Sequence, residues 1–279
     1  MTMKKPSSEL IEKLKSIAKE VRRDIIKMIG IAGSGHPGGS LSVVEILVSL
    51  YFARMRHNPR DPYWPERDRF VLSKGHAAPA LYSVLSLCGY FPREELWTLR
   101  KVNSRLQGHP SRLDTPGIEA STGSLGIGFG IAQGMAMAGK LDRRDYRVFV
   151  LLGDGEIEEG IVWEVAMSSA HYHLDNLTAI LDYNGLQIDG SIHEVMSPYP
   201  IASKWRAFGW EVFEVDGHDF YQILEALDRV ERVRGAPSII IAHTVKGKGV
   251  SFMENNVSFH GKAPKPEEVE IALRELEGE

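Results

Sequence analysis

The sequence predicts an α/β protein with a doubly wound, mainly parallel sheet flanked by helices. Helical patterns at 158–173 and 219–233 alternate with short apolar runs. Such alternation is typical of β–α–β units, in which successive strands run parallel and are covered on both faces. The apolar runs predicted to be buried strands occupy residues 147–152, 177–182, 210–215 and 238–243.

Both ends of the chain are predicted to be helical. Apolar residues recur at offsets of three and four between Leu10 and Met28, which indicates a helix over 8–30. An amphipathic pattern over 266–277 closes the chain. Because no internal repeat or low-complexity tract divides the sequence, we interpret residues 1–279 as a single domain.

A glycine-rich segment at 33–40 is expected to link two helices. Ser42 and Glu45 have the spacing of a capping box, so the second helix should begin there. Residues 33–38 also match G-x-G-x-x-G, but they follow a helix rather than a strand, and Pro37 interrupts the turn. A nicotinamide-binding fold is therefore disfavoured, and the sequence contains no P-loop motif.

Composition excludes several classes of partner. Lys and Arg total 33 against 37 Asp and Glu, which gives a formal charge of −4 with no basic stripe. We therefore expect neither nucleic acid nor a membrane surface as partner.

The start of the chain lacks the apolar stretch of a signal peptide, which favours the cytoplasm. Cys88, the single cysteine, is predicted to be a packed core thiol.

Polar residues follow two of the predicted strands. Gly153, Asp154 and Gly155 come after the first, and Asn184 follows the second, one β–α–β unit later. Ligands of parallel sheets bind outside the carboxyl ends of the strands, so both side chains should share one crevice. Their oxygens suit Mg²⁺, which often keeps phosphate oxygens in its shell. The alternative interpretation is that Asp154 caps the next helix and Asn184 occupies a turn.

Four histidines lie beside glycine or proline, in loops that hold an imidazole at a site. They are His36, His76, His109 and His260. For any one of them a surface or structural role is the alternative, but four in matching contexts favour a shared site. His171 and His173, two apart on a predicted helix, face different ways and are interpreted as structural.

The stretch 121–139 has helical composition but carries glycines at 123, 126, 128, 130, 134 and 139. Each interior glycine costs a helix about 1 kcal/mol relative to alanine. Such a helix is typical of a place where a cofactor, a partner subunit or another backbone comes very close. The alternative is a core helix in which the glycines reflect packing alone.

Seven motifs in the same order make nearly the whole chain resemble the amino-terminal half of transketolases. They are GSGHPGG, FVLSKGHAAPALY, STGSLGIGFG, LLGDGEIEEGIVWEVA, LDYNGLQIDG, FGWEVFEVDGHD and HTVKGKGVSFMENNVSFHGKAP. The resemblance implies the fold of a thiamine diphosphate-binding domain. It also implies transfer of a two-carbon ketol unit between sugar phosphates, with the cofactor supplying the carbanion chemistry.

The resemblance also implies roles for individual residues. Asp154, Asn184 and the carbonyl of Leu186 match Mg²⁺ ligands, and His36, His109 and His260 match residues that contact substrate or assist proton transfer. The positions implied to contact thiamine diphosphate are His76, Gly123, Ser124, Leu125, Gly153, Asp154, Gly155, Glu159, Glu164, Asn184, Leu186, Lys246 and His260.

Other matches concern the surroundings of the site. Lys246 and Lys262 match lysines near it, and each has a solvated surface charge as alternative. Glu159 and Glu164 match acids that cross a subunit interface, with an ordinary exposed helix face as alternative. One departure is Gly38-Gly39-Ser40, where many members of the family carry other residues.

The resemblance covers only one half of a full-length transketolase, so the pyrimidine-binding half is expected on a separate carboxyl-terminal subunit. We expect an α2β2 assembly that acts on sugar phosphates. Alternatives are a related split thiamine diphosphate enzyme for another sugar phosphate or branched sugar, and a non-catalytic cofactor-binding subunit. A deoxyxylulose-phosphate synthase or a 2-oxoacid dehydrogenase subunit shares the metal motif, but LSKGHA and QGHP favour transketolase.

Overall fold

The computed structural model describes residues 6–278. Residues 1–5, on which the expected lack of a signal peptide partly depends, lie outside the described residues, as does Glu279. Within 6–278, no helix is both long enough and apolar enough to cross a membrane.

A five-stranded parallel sheet forms the centre of the fold, which confirms the predicted α/β class. Residues 6–278 contain seven strands, of which five form this sheet. In chain order they are β1 (Arg69–Leu72), β2 (Val148–Gly153), β3 (Leu177–Tyr183), β4 (Leu186–Gln187), β5 (Gly190–Ser191), β6 (Glu211–Asp216) and β7 (Ser238–His243). The order across the sheet is β1-β2-β3-β7-β6, and every neighbouring pair is parallel. β4 and β5 form a separate antiparallel hairpin.

Helices cover both faces of the sheet. In chain order they are α1 (Ser8–Ala32), α2 (Pro37–Leu41), α3 (Val44–Ser49), α4 (Ala78–Cys88), α5 (Ile127–Leu141), α6 (Gly160–His171), α7 (Ile192–Val195), α8 (Ile201–Ala207), α9 (Phe220–Val230) and α10 (Pro266–Gly278). Helices α1 and α10 agree with the two predicted terminal helices within two residues at each end.

Alternate side chains of each central strand enter two separate apolar cores. In β2, Phe149 and Leu151 pack into the core that contains α1, α3, α4 and α9. Val150 and Leu152 pack into the core that contains α5, α6 and α8. Because both faces of the strand are buried, its sequence is a continuous apolar run rather than an alternating one.

The predicted capping box is wrong. Helix α3 begins at Val44 without a side-chain cap, and Pro37–Leu41 within the glycine-rich segment forms the short helix α2. The Ser42 hydroxyl instead donates to Asp182 at 2.7 Å, and the Glu45 carboxylate accepts from an arginine. Both side chains therefore bond to buried partners from distant segments instead of capping the helix.

The register of the sheet brings the strand ends to one edge. Gly153 at the end of β2 lies beside Asp182 of β3, and Asp182 lies beside Ala242 of β7. Strand β1, which the sequence did not predict, ends at the same edge immediately before Ser73. Loops from four parallel strands therefore converge on one place, where the candidate site lies.

Candidate active site

A buried ion pair lies at the centre of this edge. The Lys74 ammonium donates to the Asp182 carboxylate, and their side chains are 2% and 0% exposed. Asp182 also accepts from the hydroxyls of Ser42 and Thr244. Burial alone would raise the pKa of Asp182, but the Lys74 charge and these hydrogen bonds outweigh it and hold that pKa below its ordinary value. Neither member of the pair was predicted from the sequence.

Asn184 is hydrogen-bonded to this pair, and Asp154 is hydrogen-bonded to the loop that carries Asn184. Asn184 Nδ2 donates to Asp182 at 3.0 Å, and its Oδ1 accepts from the Leu186 N–H at 3.2 Å. Asp154 Oδ2 accepts from the Gly185 N–H at 2.5 Å. The two strand-end residues therefore share one crevice, as predicted, and Asp154 does not cap α6, which begins six residues later.

The oxygens in this crevice suit a hard cation. Burial and the neighbouring Asp182 raise the pKa of Asp154 to about 6, so a cation beside it would stabilise the ionised form. A carboxylate, an amide oxygen and a main-chain carbonyl form the donor type that Mg²⁺ prefers. In the structure an ammonium already lies there, because Lys246 Nζ donates to the Leu186 carbonyl at 2.9 Å. The residues present therefore fit a magnesium ion.

The four loop histidines lie in one cluster. The ring centroid of His36 is 5.4 Å from that of His76 and 6.0 Å from that of His109. The His260 ring lies 5.8 Å from His36 and 5.3 Å from His76. Within residues 6–278, no three His, Cys, Asp or Glu side chains are arranged to hold a metal ion.

All four rings are neutral at neutral pH. Burial is the main cause that lowers their pKa values, and nearby cations add to it. The pKa of His36 falls to about 4, with Arg100 as the next cause, and that of His260 falls to about 3, with Lys246 next. His36 Nδ1 is buried without a hydrogen-bond partner among the described residues, which fits a polar group of a ligand.

Glycines let the backbone come close to these rings. A Cβ at Gly39 would lie 3.0 Å from His76 Nε2, and one at Gly123 would lie 3.3 Å from the His109 ring. Gly123 also has a φ of +152°, which side chains rarely adopt. The Ser40 hydroxyl is occupied, since it donates to the main-chain carbonyl of His36 at 2.8 Å.

Glu156 is a second buried carboxylate that sequence analysis missed. It accepts from the Ser73 hydroxyl, from the Gly126 N–H at 2.8 Å and from the Gly153 N–H at 2.9 Å. Burial outweighs these hydrogen bonds and raises the pKa of its side chain. Glu156 thereby ties the end of β1, the end of β2 and the start of α5 together. The only signal in the sequence is its place directly after Gly-Asp-Gly.

Four more of the predicted cofactor positions lie in the loops that follow β2 and precede α5. Gly123, Ser124 and Leu125 form the loop that enters α5, so the helix begins at Ile127 rather than at the predicted 121. Gly155 follows Asp154, and its N–H donates to the Asp154 side chain at 2.9 Å.

Three other residues that the resemblance singled out are exposed. Glu159 and Glu164, at the start of α6 and within it, are exposed. Lys262 is also exposed and lies over the Phe259 ring. Cys88 is half-buried against the core, and burial raises the pKa of its thiol to about 12.

Of the two histidines interpreted as structural, His171 is the last residue of α6, whereas His173 lies two residues beyond the helix on which it was predicted. His171 is exposed, and His173 Nδ1 lies 2.9 Å from the Gly235 carbonyl. Neither ring belongs to the four-histidine cluster.

Residues 13–278 match the protein family described as "Transketolase, thiamine diphosphate binding domain". The chain belongs to this family. Among its relatives is the 6-deoxy-6-sulfo-D-fructose transketolase subunit of Clostridium sp. (strain MSTE9), which is 46% identical over 94% of this chain and 95% of that protein. An apulose-4-phosphate transketolase subunit of Phocaeicola vulgatus is 43% identical over 95% of this chain and 94% of that protein.

Several transketolases match this chain over less than half of their own length. Human transketolase is 42% identical over 98% of this chain but only 43% of its own length. The transketolase structure from Campylobacter jejuni superposes with a TM-score of 0.90 at 33% identity, over 95% of this chain and 43% of that one. The structure from Leishmania mexicana gives the same TM-score at 30% identity. The fold is therefore that of a transketolase amino-terminal region.

The neutral histidines predict acid sensitivity. An unfolded histidine binds a proton below its ordinary pKa of 6.5, whereas the folded His36 and His260 rings stay neutral until pH falls to about 4 or lower. These two rings should therefore leave the free energy of unfolding unchanged above about pH 6.5 and lower it as pH falls below 6.5, by roughly 1 kcal/mol per pH unit for each of the two after allowance for partial solvent access. The raised pKa values of the buried Asp154 and Glu156 carboxyls oppose this trend.

Urea unfolding between about pH 7.5 and about pH 5 checks this slope. The double variant His36→Asn/His260→Asn should reduce the slope by roughly 2 kcal/mol per pH unit. His171→Asn, which alters an exposed ring, should leave it unchanged. An unaltered slope in the double variant would show that the cluster is not held neutral.

The buried ion pair predicts an asymmetric cost of mutation. Lys74→Met removes the cation from Asp182 and should lower the free energy of unfolding by about 3–5 kcal/mol, because an unpaired carboxylate stays buried. Adding Asp182→Asn should recover part of that loss. Lys140→Met breaks a more exposed pair with Asp175, whose side chains are 38% and 24% exposed, and should cost less than about 1 kcal/mol. Equal costs for the two lysines in urea unfolding would contradict this description.

Proposed function

We propose that residues 1–279 form the diphosphate-binding domain, and the amino-terminal subunit, of a thiamine diphosphate- and Mg²⁺-dependent transketolase. With a separate carboxyl-terminal subunit it would transfer a two-carbon ketol unit from a ketose phosphate to an aldose phosphate. The observation that carries this proposal is the convergence of four neutral histidines beside an oxygen-lined crevice at the carboxyl edge of a parallel sheet.

The crevice supports a metal–diphosphate anchor. Asp154, Asn184 and the Leu186 carbonyl would hold Mg²⁺, and the diphosphate would lie against Gly153 and Gly155 at the end of β2. When bound, thiamine diphosphate supplies a thiazolium carbon that stabilises the carbanion of the transferred unit. The other contacts to thiamine diphosphate would come from His76, Gly123, Ser124, Leu125, Lys246 and His260.

The histidine cluster supports proton handling and hydroxyl recognition. A neutral imidazole donates through one nitrogen and accepts through the other, so it can bind a sugar hydroxyl or take its proton. His36, His109 and His260 are the members assigned this role, and the unpartnered His36 Nδ1 offers a free polar atom. Arg100, exposed beside His36 and His109, adds a positive charge that favours an acidic substrate.

The surface of α5 and α6 supports a subunit interface. Glu159 and Glu164 are exposed there, and so are the apolar side chains of Ile127 and Met167, at 44% and 59%. The chain spans 43% of human transketolase but 94% of the Phocaeicola vulgatus subunit. We propose that this surface takes part in an α2β2 assembly with paired active sites, in which the two acids cross the interface.

A second candidate function is ketol transfer from a sulfonated or branched sugar. It is favoured by the relatives, one named for 6-deoxy-6-sulfo-D-fructose and another for apulose 4-phosphate. A panel of donors that includes fructose 6-phosphate, its 6-sulfo analogue and apulose 4-phosphate separates the candidates in the reconstituted enzyme. The donor with the highest kcat/KM identifies the function.

Asp154→Ala should abolish measurable binding of thiamine diphosphate in the presence of Mg²⁺, because it removes the one carboxylate proposed as metal ligand. Isothermal calorimetry on the chain together with its carboxyl-terminal partner measures this. Asp175→Ala is a suitable control, since its carboxylate pairs with Lys140 at a distance from the crevice.

Equal affinity in Asp154→Ala and the unchanged chain would show that the metal assignment is wrong. Loss of binding in both aspartate variants would point to general destabilisation, and urea unfolding of each variant resolves this.

A further inference from the structure

A buried triad of charged and polar side chains lies against the segment that carries Lys246. Arg22 of α1 donates to Glu45 of α3 at 2.6 Å, and His218, in the turn before α9, lies 2.9 Å from the other Glu45 oxygen. The three side chains are only 6%, 7% and 13% exposed. The proposed function leaves all three residues without a role.

Two members of the triad hold the main chain on either side of Lys246. The Val245 N–H donates to His218 Nε2 at 2.9 Å. The Arg22 side chain donates through Nε to the Lys248 carbonyl at 3.2 Å. Lys246 therefore lies between two main-chain positions that are both fixed to Glu45 through its partners.

The position of the Lys246 main chain matters because the ammonium has two close partners. Its ammonium lies 2.9 Å from the Leu186 carbonyl and 2.9 Å from His260 Nδ1. Burial and the nearby Lys74 charge lower its pKa to about 8. A small displacement of the main chain would therefore remove the ammonium from both partners.

The hydrogen bonds define the tautomer of His218. A ring nitrogen that accepts a hydrogen bond carries no proton, so Nε2 is bare and Nδ1 donates to Glu45. Burial disfavours the Glu45 carboxylate, but Arg22 and His218 outweigh it and keep its pKa below the ordinary value. An ionised Glu45 thus holds the tautomer that accepts from Val245.

We propose that His218, oriented by Glu45 and Arg22, is a positioning residue that places Lys246 at the cofactor crevice. This inference rests on the proposed function for its consequence, but its geometry stands on the hydrogen bonds alone. Partners that orient a metal ligand change affinity by about 10–100-fold when removed, and we expect an effect at the lower end of that range for a partner that positions a ligand-contacting lysine.

The surroundings of His218 allow a chemical test. A cavity of about 740 Å³ borders the triad and is lined in part by Arg22, Glu45, His218 and Lys248. In His218→Gly, free imidazole can enter from this cavity and occupy the place of the missing ring.

His218→Gly should exchange the Val245 amide hydrogen at least about tenfold faster and weaken thiamine diphosphate binding by about tenfold. Imidazole should restore both. Hydrogen exchange resolved at Val245, and calorimetry on the chain with its partner in Mg²⁺, give the two readouts. His171→Gly, which removes an exposed ring, should change neither and should not respond to imidazole.

Unchanged exchange at Val245 in His218→Gly, or no effect of imidazole on a raised rate, would overturn the proposal. If the unchanged chain with its partner binds no thiamine diphosphate, the proposed function fails, while exchange at Val245 still decides the role of His218. If His218→Gly does not fold, His218→Gln, whose amide can replace both hydrogen bonds, should protect Val245 and His218→Leu should not. Equal protection in those two variants would also overturn it.

Discussion

The buried ion pair between Lys74 and Asp182 is the interaction on which the rest of the site depends. Two charges removed from water are tolerated only when they are paired and hydrogen-bonded. Asp182 meets this condition with Lys74, Ser42, Thr244 and Asn184, which belong to four different segments of the chain. Satisfying one buried carboxylate therefore brings the ends of β1, β3 and β7 and the turn after α2 to one place.

The two members of this pair also shift the pKa values of neighbouring groups. After burial, which is the main cause, the Lys74 charge helps to lower the pKa values of His36, His76 and His260. On the other side, Asp182 adds to burial in raising the pKa of Asp154. Imidazoles are thus kept neutral where proton transfer is proposed, and excess negative charge is kept where a cation is proposed. One structural pair supports both halves of the proposed chemistry.

Much of this arrangement could be predicted because its signals are local. Apolar runs that end in Gly-Asp-Gly or Tyr-Asn-Gly indicate strand ends, and glycine or proline beside a histidine indicates a loop. Lys74, Asp182 and Glu156 were missed because their importance comes from burial among residues distant in the chain. Ser42 and Glu45 were misassigned for the same reason: a spacing of three is compatible with a cap, but only the tertiary structure shows stronger partners.

We propose that the Leu186 carbonyl and its neighbours form a metal–diphosphate site, where the Lys246 ammonium now lies against that carbonyl. A crystal structure of the chain with its carboxyl-terminal partner, thiamine diphosphate and Mg²⁺ tests it most directly. We predict a metal ion bound by Asp154, Asn184 and the Leu186 carbonyl, with Lys246 Nζ moved from that carbonyl toward the diphosphate. A diphosphate bound elsewhere, with Lys246 still donating to Leu186, would show that this crevice is not the metal–diphosphate site.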